Sequence, residues 1–167
     1  MKSSRSVREI PSQGVTADTE TTRIDALVRE ARARLDAVSE SPRLDAEILL
    51  GRAIDMPRSY LFAHPEDQPD EAAIARFEQL VERRLTGEPM AYITGIREFW
   101  SMELLVTPAT LVPRPETEIL VERALTQMPR RAAFDVLDLG TGSGAVAVAI
   151  ASERRLSEVT AIDQSLD

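Results

Sequence analysis

The segment DLGTGSGAVAVAI, Asp138 to Ile150, puts glycine at positions 140, 142 and 144, straight after Phe134 to Leu139, where apolar residues are interrupted by Asp135 and Asp138, and straight before an alanine- and valine-rich stretch. Glycine tolerates positive φ and a bare main chain at an entropic cost, so three at alternate positions mark a tight turn that something approaches closely. The flanks constrain the rest. Phe134 to Leu139 reads as a strand, Ala145 to Glu153 as a helix and Val159 to Ile162 as a second strand. Strand, glycine turn, helix and strand form a βαβ unit, and its two strands are expected to lie parallel.

Upstream the pattern is helical. Ile24, Leu27, Val28, Ala31, Leu35 and Val38 recur at spacings of three and four, which makes one stripe of a helix from Arg23 to Val38. Ser41-Pro42 predicts a second helix, capped by the serine hydroxyl, running to about Asp55 with Leu44, Ile48, Leu49 and Ile54 inward. Pro57 opens a short helical turn through Tyr60 and Phe62. Asp70 is the expected cap of a further helix with Ile74, Phe77, Val81 and Leu85 inside, and Gly87 its left-handed stop.

The character changes at Ile93, where ITGIREFWSMELLVT is rich in β-branched and aromatic residues and predicts a β-hairpin turning near Ser101 to Glu103. Pro113-Arg114-Pro115-Glu116-Thr117 then leads into a helix that ends before Pro129. The organisation expected is a loose tail over residues 1–21, a helical domain over 22–90, a hairpin linker over 91–112 and an α/β portion over 113–167.

A formal net charge of -8 argues against general affinity for nucleic acid. No basic patch is evident: Arg83-Arg84 and Arg130-Arg131 are expected at helix ends, where cations meet the negative end of the dipole. The chain has no cysteine, which excludes disulfides and thiolate metal sites and makes a reducing cytoplasm the simplest setting. No apolar run nears the roughly 20 residues of a membrane span, and the polar opening residues lack the apolar stretch of a signal peptide. The only histidine, His64, has no partner in view and reads as a surface or packing residue, and no metal site is expected.

The glycine turn lacks the lysine that a phosphate-binding P-loop needs, since Ala145 and Val146 follow Gly144. A dinucleotide fingerprint wants its third glycine three places after the second, whereas Gly142 and Gly144 are two apart, so a nicotinamide cofactor fits poorly. S-adenosylmethionine, which has no phosphate, fits better. Asp138 at the strand end is placed for its ammonium, the glycines for close approach of the adenosyl group, and the helix amino end for its carboxylate. Asp163 closes the second strand nineteen positions after Gly144, near the spacing at which an acid meets ribose hydroxyls. Each feature also has a plainer reading. The turn could serve only helix-to-strand packing, Asp138 could cap the helix and Asp163 could be a turn residue.

GIREFWSMELLVTPATLVPRPETEILVERAL, followed by VLDLGTGSGAVAVAIA and VTAID, resembles the bacterial glutamine methyltransferases of the HemK/PrmC type, which modify peptide chain release factors. SPRLDAEILL and RRLTGEPMAYITG are similar to that family's amino-terminal domain, so the likeness spans roughly Thr22 to Asp167. The resemblance implies a helical domain that helps recognise the release factor, a hairpin linker and a class I, Rossmann-like methyltransferase domain. It implies methyl transfer from S-adenosylmethionine to the side-chain amide of the glutamine in a Gly-Gly-Gln loop, in the cytoplasm. Gly140, Thr141, Gly142, Ser143 and Gly144 match the family's cofactor loop, and Asp163 matches its ribose acid. Phe99 and Trp100 match an aromatic pair near the active site, although they could equally be hairpin core, and Arg114 and Glu116 could cap a helix or face substrate.

The family's Asn-Pro-Pro-Tyr motif, which holds the substrate amide, does not occur in these 167 residues, so no catalytic residue is assigned. Two parallel strands expect further partners, and the expectation is an α/β domain truncated after its second strand, with apolar surface and a strand edge exposed. Such a chain is expected to be monomeric if completed and open to self-association as it stands. The alternative function is a release-factor-binding module that does no chemistry.

Overall fold

The structure is a computed structural model and describes residues 22–165. The tail expected over residues 1–21 lies outside the described residues. The chain forms two compact units that divide between Leu85 and Thr86. The first is helical and holds α1 (Ile24–Leu35), α2 (Pro42–Ile54), α3 (Arg58–Ala63) and α4 (Glu71–Leu85). The second holds α5 (Met90–Thr94), β1 (Ile96–Phe99), β2 (Met102–Leu105), α6 (Thr117–Gln127), β3 (Asp135–Leu139), α7 (Ala145–Glu153) and β4 (Glu158–Ile162).

In the helical unit α2 packs on both α1 and α4, and Leu35, Leu49, Leu50, Phe77 and Val81 are fully buried. Asp70 caps α4 as its position predicts, accepting the Ala73 amide at 2.6 Å. Gly87, at φ +87°, follows the end of that helix. Ser41, by contrast, makes no side-chain cap on α2. Its own amide donates to the Ser39 hydroxyl at 3.0 Å, and that hydroxyl donates to Asp45 Oδ2 at 2.7 Å, so Ser39 rather than Ser41 supplies the side-chain bonds at this helix start.

The buried face of α2 also differs from the apolar stripe expected. Leu44 is exposed, while Asp45 and Glu47 are buried. Burial is tolerable because each carboxylate is paired and hydrogen-bonded. Arg84 Nε meets Asp45 Oδ2 at 2.8 Å and its Nη2 reaches the Val38 carbonyl at 3.2 Å. Glu47 receives Arg43 Nε at 2.8 Å and Arg58 Nη2 at 2.5 Å. Burial opposes the charge on Glu47, but the hydrogen bonds from Arg58 and Arg43 outweigh it and hold the carboxyl below its usual range.

In the second unit Ile93 and Thr94, expected at the start of a strand, instead end the short helix α5, with Gly95 as its left-handed cap at φ +74°. The hairpin β1–β2 is antiparallel, pairing Ile96 with Leu105 and Phe99 with Met102. Its turn lies one residue earlier than expected, on Trp100 and Ser101, both left-handed at φ +53° and +58°. Two consecutive left-handed residues are what the twist of a two-residue hairpin needs, and here neither is glycine. Glu118 on α6 takes the Trp100 amide at 2.8 Å, and Trp100 Nε1 reaches Glu153 on α7 at 3.3 Å, so side chains from two helices hold the turn.

β3 and β4 pair in parallel, Asp135 beside Glu158 through Leu139 beside Ile162. One face of the pair carries Val136 and Val159 into a core with Phe99, Val121, Ala149 and Ile150. On the other face Leu137, Leu139 and Ile162 are exposed at 59%, 68% and 50%. Among the described residues this sheet has two strands, so both of its outer edges are unpaired. Behind the core Arg154 is buried, donating to the carbonyls of Met128 at 2.5 Å and Leu125 at 2.8 Å and so closing the carboxyl end of α6. No helix among the described residues is long and apolar enough to cross a membrane.

Candidate functional site

The glycine turn joins β3 to α7, and all three of its glycines are left-handed, at φ +73°, +55° and +77° for Gly140, Gly142 and Gly144. A side chain at any of them would be strained by backbone conformation alone. The turn is pinned from below. The Gly140 and Thr141 amides donate to the Ile162 carbonyl at 2.8 and 3.1 Å, which ties the end of β3 to the end of β4. The Gly144 amide closes back on the Thr141 carbonyl at 2.9 Å. Above it lies open space, for a Cβ built on Gly140 or Gly142 would meet nothing within 4 Å.

The two aspartates singled out from the sequence stand at the carboxyl ends of these neighbouring strands and both engage the turn. Asp138 Oδ2 accepts the Thr141 hydroxyl at 2.7 Å, while its Oδ1 takes no partner among the described residues. Asp163 Oδ2 accepts the Gly142 amide at 2.7 Å, and its Oδ1 accepts the Ser165 amide at 2.9 Å. The amides of Ser165, Gly142 and Gln164 together hold the Asp163 carboxyl below its usual range. The helix α7 follows Gly144 at its N-cap and has no side-chain cap, so its first amides face the turn without a protein side chain on them. All seven residues read from the sequence, Asp138, Gly140, Thr141, Gly142, Ser143, Gly144 and Asp163, therefore fall on one bend between two strand ends.

The bond from Gly142 to Asp163 has no counterpart in the sequence reading, which treated the acid and the glycines as separate contacts. The other candidates lie apart from the bend. Phe99 is buried in the core, and Trp100 sits at the hairpin turn among α6 and α7. Glu116 stands at the amino end of α6 without a side-chain cap bond. His64 stacks on Tyr60 at 4.4 Å between ring centroids, a packing contact within the helical unit.

Residues 26–95 match the PrmC N-terminal domain family. The chain is 49% identical over 140 residues to the release factor glutamine methyltransferase of Escherichia coli (strain K12), covering 84% of this chain and 50% of that protein. It is 51% identical over 132 residues to the protein of that name from Coxiella burnetii (strain RSA 493 / Nine Mile phase I), covering 79% and 48%. To the one from Aliivibrio fischeri (strain ATCC 700601 / ES114) it is 48% identical over 145 residues, covering 86% and 51%. The chain thus spans about half the length of the curated relatives it matches.

Proposed function

The chain belongs to the family of release factor glutamine methyltransferases, matching their amino-terminal part, and from that membership we propose that the bend at residues 138–144 and Asp163 hold the nucleoside and amino acid ends of S-adenosylmethionine at the start of a class I, Rossmann-like methyltransferase domain. The observation that carries the reading is the pair of aspartates on neighbouring parallel strand ends, each hydrogen-bonded to a turn of three left-handed glycines. Ligands of open α/β sheets bind at the carboxyl ends of strands, which is where this bend lies.

The residues fit such a ligand. Open space over Gly140 and Gly142 admits a flat nucleoside against the main chain. A carboxylate offers about four acceptor positions, so Asp163 retains capacity for ribose hydroxyls beside its own amide bonds. Asp138 Oδ1 is available to an ammonium, and the uncapped start of α7 favours a carboxylate. When bound, the donor supplies a methyl group activated by its sulfonium. The chain's own part is to fix that donor in place before an acceptor arrives, which lowers the entropic cost of bringing the two together.

For the whole protein the reading extends to methylation of the glutamine side-chain amide in the Gly-Gly-Gln motif of peptide chain release factors, in the cytoplasm. On that reading residues 22–90 recognise the release factor, 91–112 link, and 113–167 begin the methyltransferase domain, and a completed chain is monomeric. A second reading, a release-factor-binding module that does no chemistry alone, is favoured by the bare apolar face at Leu137, Leu139 and Ile162, since parallel sheets function covered on both faces.

Calorimetry with S-adenosylmethionine tests the first reading. Saturable binding to this chain is expected, weakened about tenfold or more by Asp163→Ala, a loss on the scale of a charged hydrogen-bond partner. Unchanged affinity in that variant would sink it. A methyl-transfer assay on a release factor then separates the two readings, because binding without transfer is the outcome of the second.

A further inference from the structure

The sequence showed no basic patch, yet the fold assembles one. Four arginines far apart in the chain, Arg29 and Arg32 on α1, Arg43 at the start of α2 and Arg58 at the start of α3, line two adjoining hollows that share Arg32, Arg43, Glu47 and Phe62. The deeper hollow has a volume of about 340 Å³, and its lining includes the apolar side chains of Val28, Leu61 and Phe62. Phe62 is 56% exposed, with the Arg58 guanidinium 5.8 Å from its ring centroid.

We propose that this groove docks a short segment of a protein partner that carries acidic side chains interleaved with apolar ones. Charge complementarity supports it. Glu47, buried at the base, binds one nitrogen each of Arg43 and Arg58, and their other donors take no hydrogen-bond partner among the described residues. It thereby fixes two guanidinium forks in advance, which reduces the entropy lost when a carboxylate arrives. Arg29 and Arg32 take no ion pair among the described residues, and Asp25, the other carboxylate of the lining, is engaged by Arg23 at 3.2 Å. Cations are in excess in the groove of a chain whose net charge is -8. An exposed phenylalanine flanked by arginines on an apolar floor is the composition of an interface centre rather than of a solvated helix face.

A polyanion such as RNA fits less well. Its phosphates would continue past the groove along a chain of net charge -8, whereas screening over about 8 Å lets a short segment feel mainly the local arginines. The groove stands on its own chemistry; that a release factor presents the segment rests on the function proposed above.

The test uses fluorescence anisotropy of this chain with a labelled peptide of three Asp-Leu-Glu-Phe repeats, a matched peptide with lysine in place of both acids, and an oligouridylate of equal length. Saturable, salt-weakened binding of the acidic peptide is expected, with a loss of about tenfold or more on Arg29→Glu with Arg32→Glu. Phe62→Ser, another exposed position, is expected to weaken it by a similar factor. Absence of acidic-peptide binding, equal affinity for the lysine peptide, or tighter binding of the oligouridylate would each overturn the proposal. The same variants titrated with a release factor decide the presenter. A parallel loss assigns the segment to it, and unchanged affinity there with the peptide result intact removes the release factor from the groove.

Discussion

The two units of this chain solve the burial problem to different degrees. In the helical unit Leu35, Leu49, Leu50, Phe77 and Val81 are wholly out of water, and its large exposed apolar side chains, Val38, Leu44, Met56 and Phe62, range from 38% to 56%. In the strand-bearing unit Phe99 and Val121 are buried as well, but Leu105, Leu111, Leu137, Leu139 and Leu156 stand 59% to 82% exposed. A helix needs one partner face, which the bundle supplies, whereas a parallel sheet has two faces and here buries one. The helical unit is therefore complete in its own core, and the strand unit holds its glycine bend on a half-covered sheet.

Truncation at the centre of the closed core gives the largest expected effect. Phe77→Ala removes a wholly buried ring and is expected to cost about 3–5 kcal/mol, read as a fall in the denaturation midpoint of the helical far-UV signal. A loss under about 1 kcal/mol would mean that this core is looser than its burial indicates. Next in size is Arg154→Ala, which frees the carbonyls of Leu125 and Met128 at the end of α6 and is expected to cost about 2–3 kcal/mol. Trp100, the only tryptophan, lies in the same unit and reports the transition by its emission. Arg154→Lys should recover little, because an ammonium cannot span two carbonyls as a planar fork does.

Glu47→Gln sharpens the contrast through pH. The folded carboxyl lies below its usual range, so its ion pairs stabilise at neutral pH, and that contribution is lost as pH falls below about 4.3 and through the folded value. The variant is expected to be less stable by about 1–2 kcal/mol at pH 7, and the stability curves of the two proteins should converge below about pH 4. Curves that stay parallel through that range would show that Glu47 is held by shape rather than by charge.

What the sequence disclosed follows the same division between local and distant causes. α7 was legible to the residue because Gly144 stops the turn and an unbroken apolar run follows, and Asp70 was legible as a cap because its partner, Ala73, lies three residues on. The hairpin turn was misplaced because Trp100 and Ser101 adopt positive φ against their own preference, held there by Glu118 and Glu153 from helices later in the chain. α5 was missed because tyrosine, isoleucine and threonine favour strands, and only the packing of Ala91 and Ile93 makes this short segment a helix. The buried acids of α2 could not be found by periodicity, since their partners are Arg84 and Arg58, in other helices. The arginine groove escaped for that reason too. At the glycine bend the residues and their meeting place were legible, because spacing along a βαβ unit dictates which strand ends adjoin; the hydrogen bond joining Gly142 to Asp163 was not, because it depends on a carboxylate's direction.

The smallest expected change in stability probes the uncovered sheet face. Leu139→Ser replaces a side chain that is 68% exposed and packs on little, so its effect on the folding midpoint is expected to stay within about 0.5 kcal/mol. Its effect on association should be larger. Leu137, Leu139 and Ile162 share one face beside two unpaired strand edges, a combination that favours intermolecular pairing. Sedimentation of this chain over a concentration series should therefore show self-association that weakens in Leu139→Ser, while the exposed Leu44→Ser, on the closed helical unit, leaves it unchanged. Equal effects at both positions would mean that exposure of a leucine, rather than an uncovered sheet face, drives the contact, and the difference drawn between the two units would then lose its physical basis.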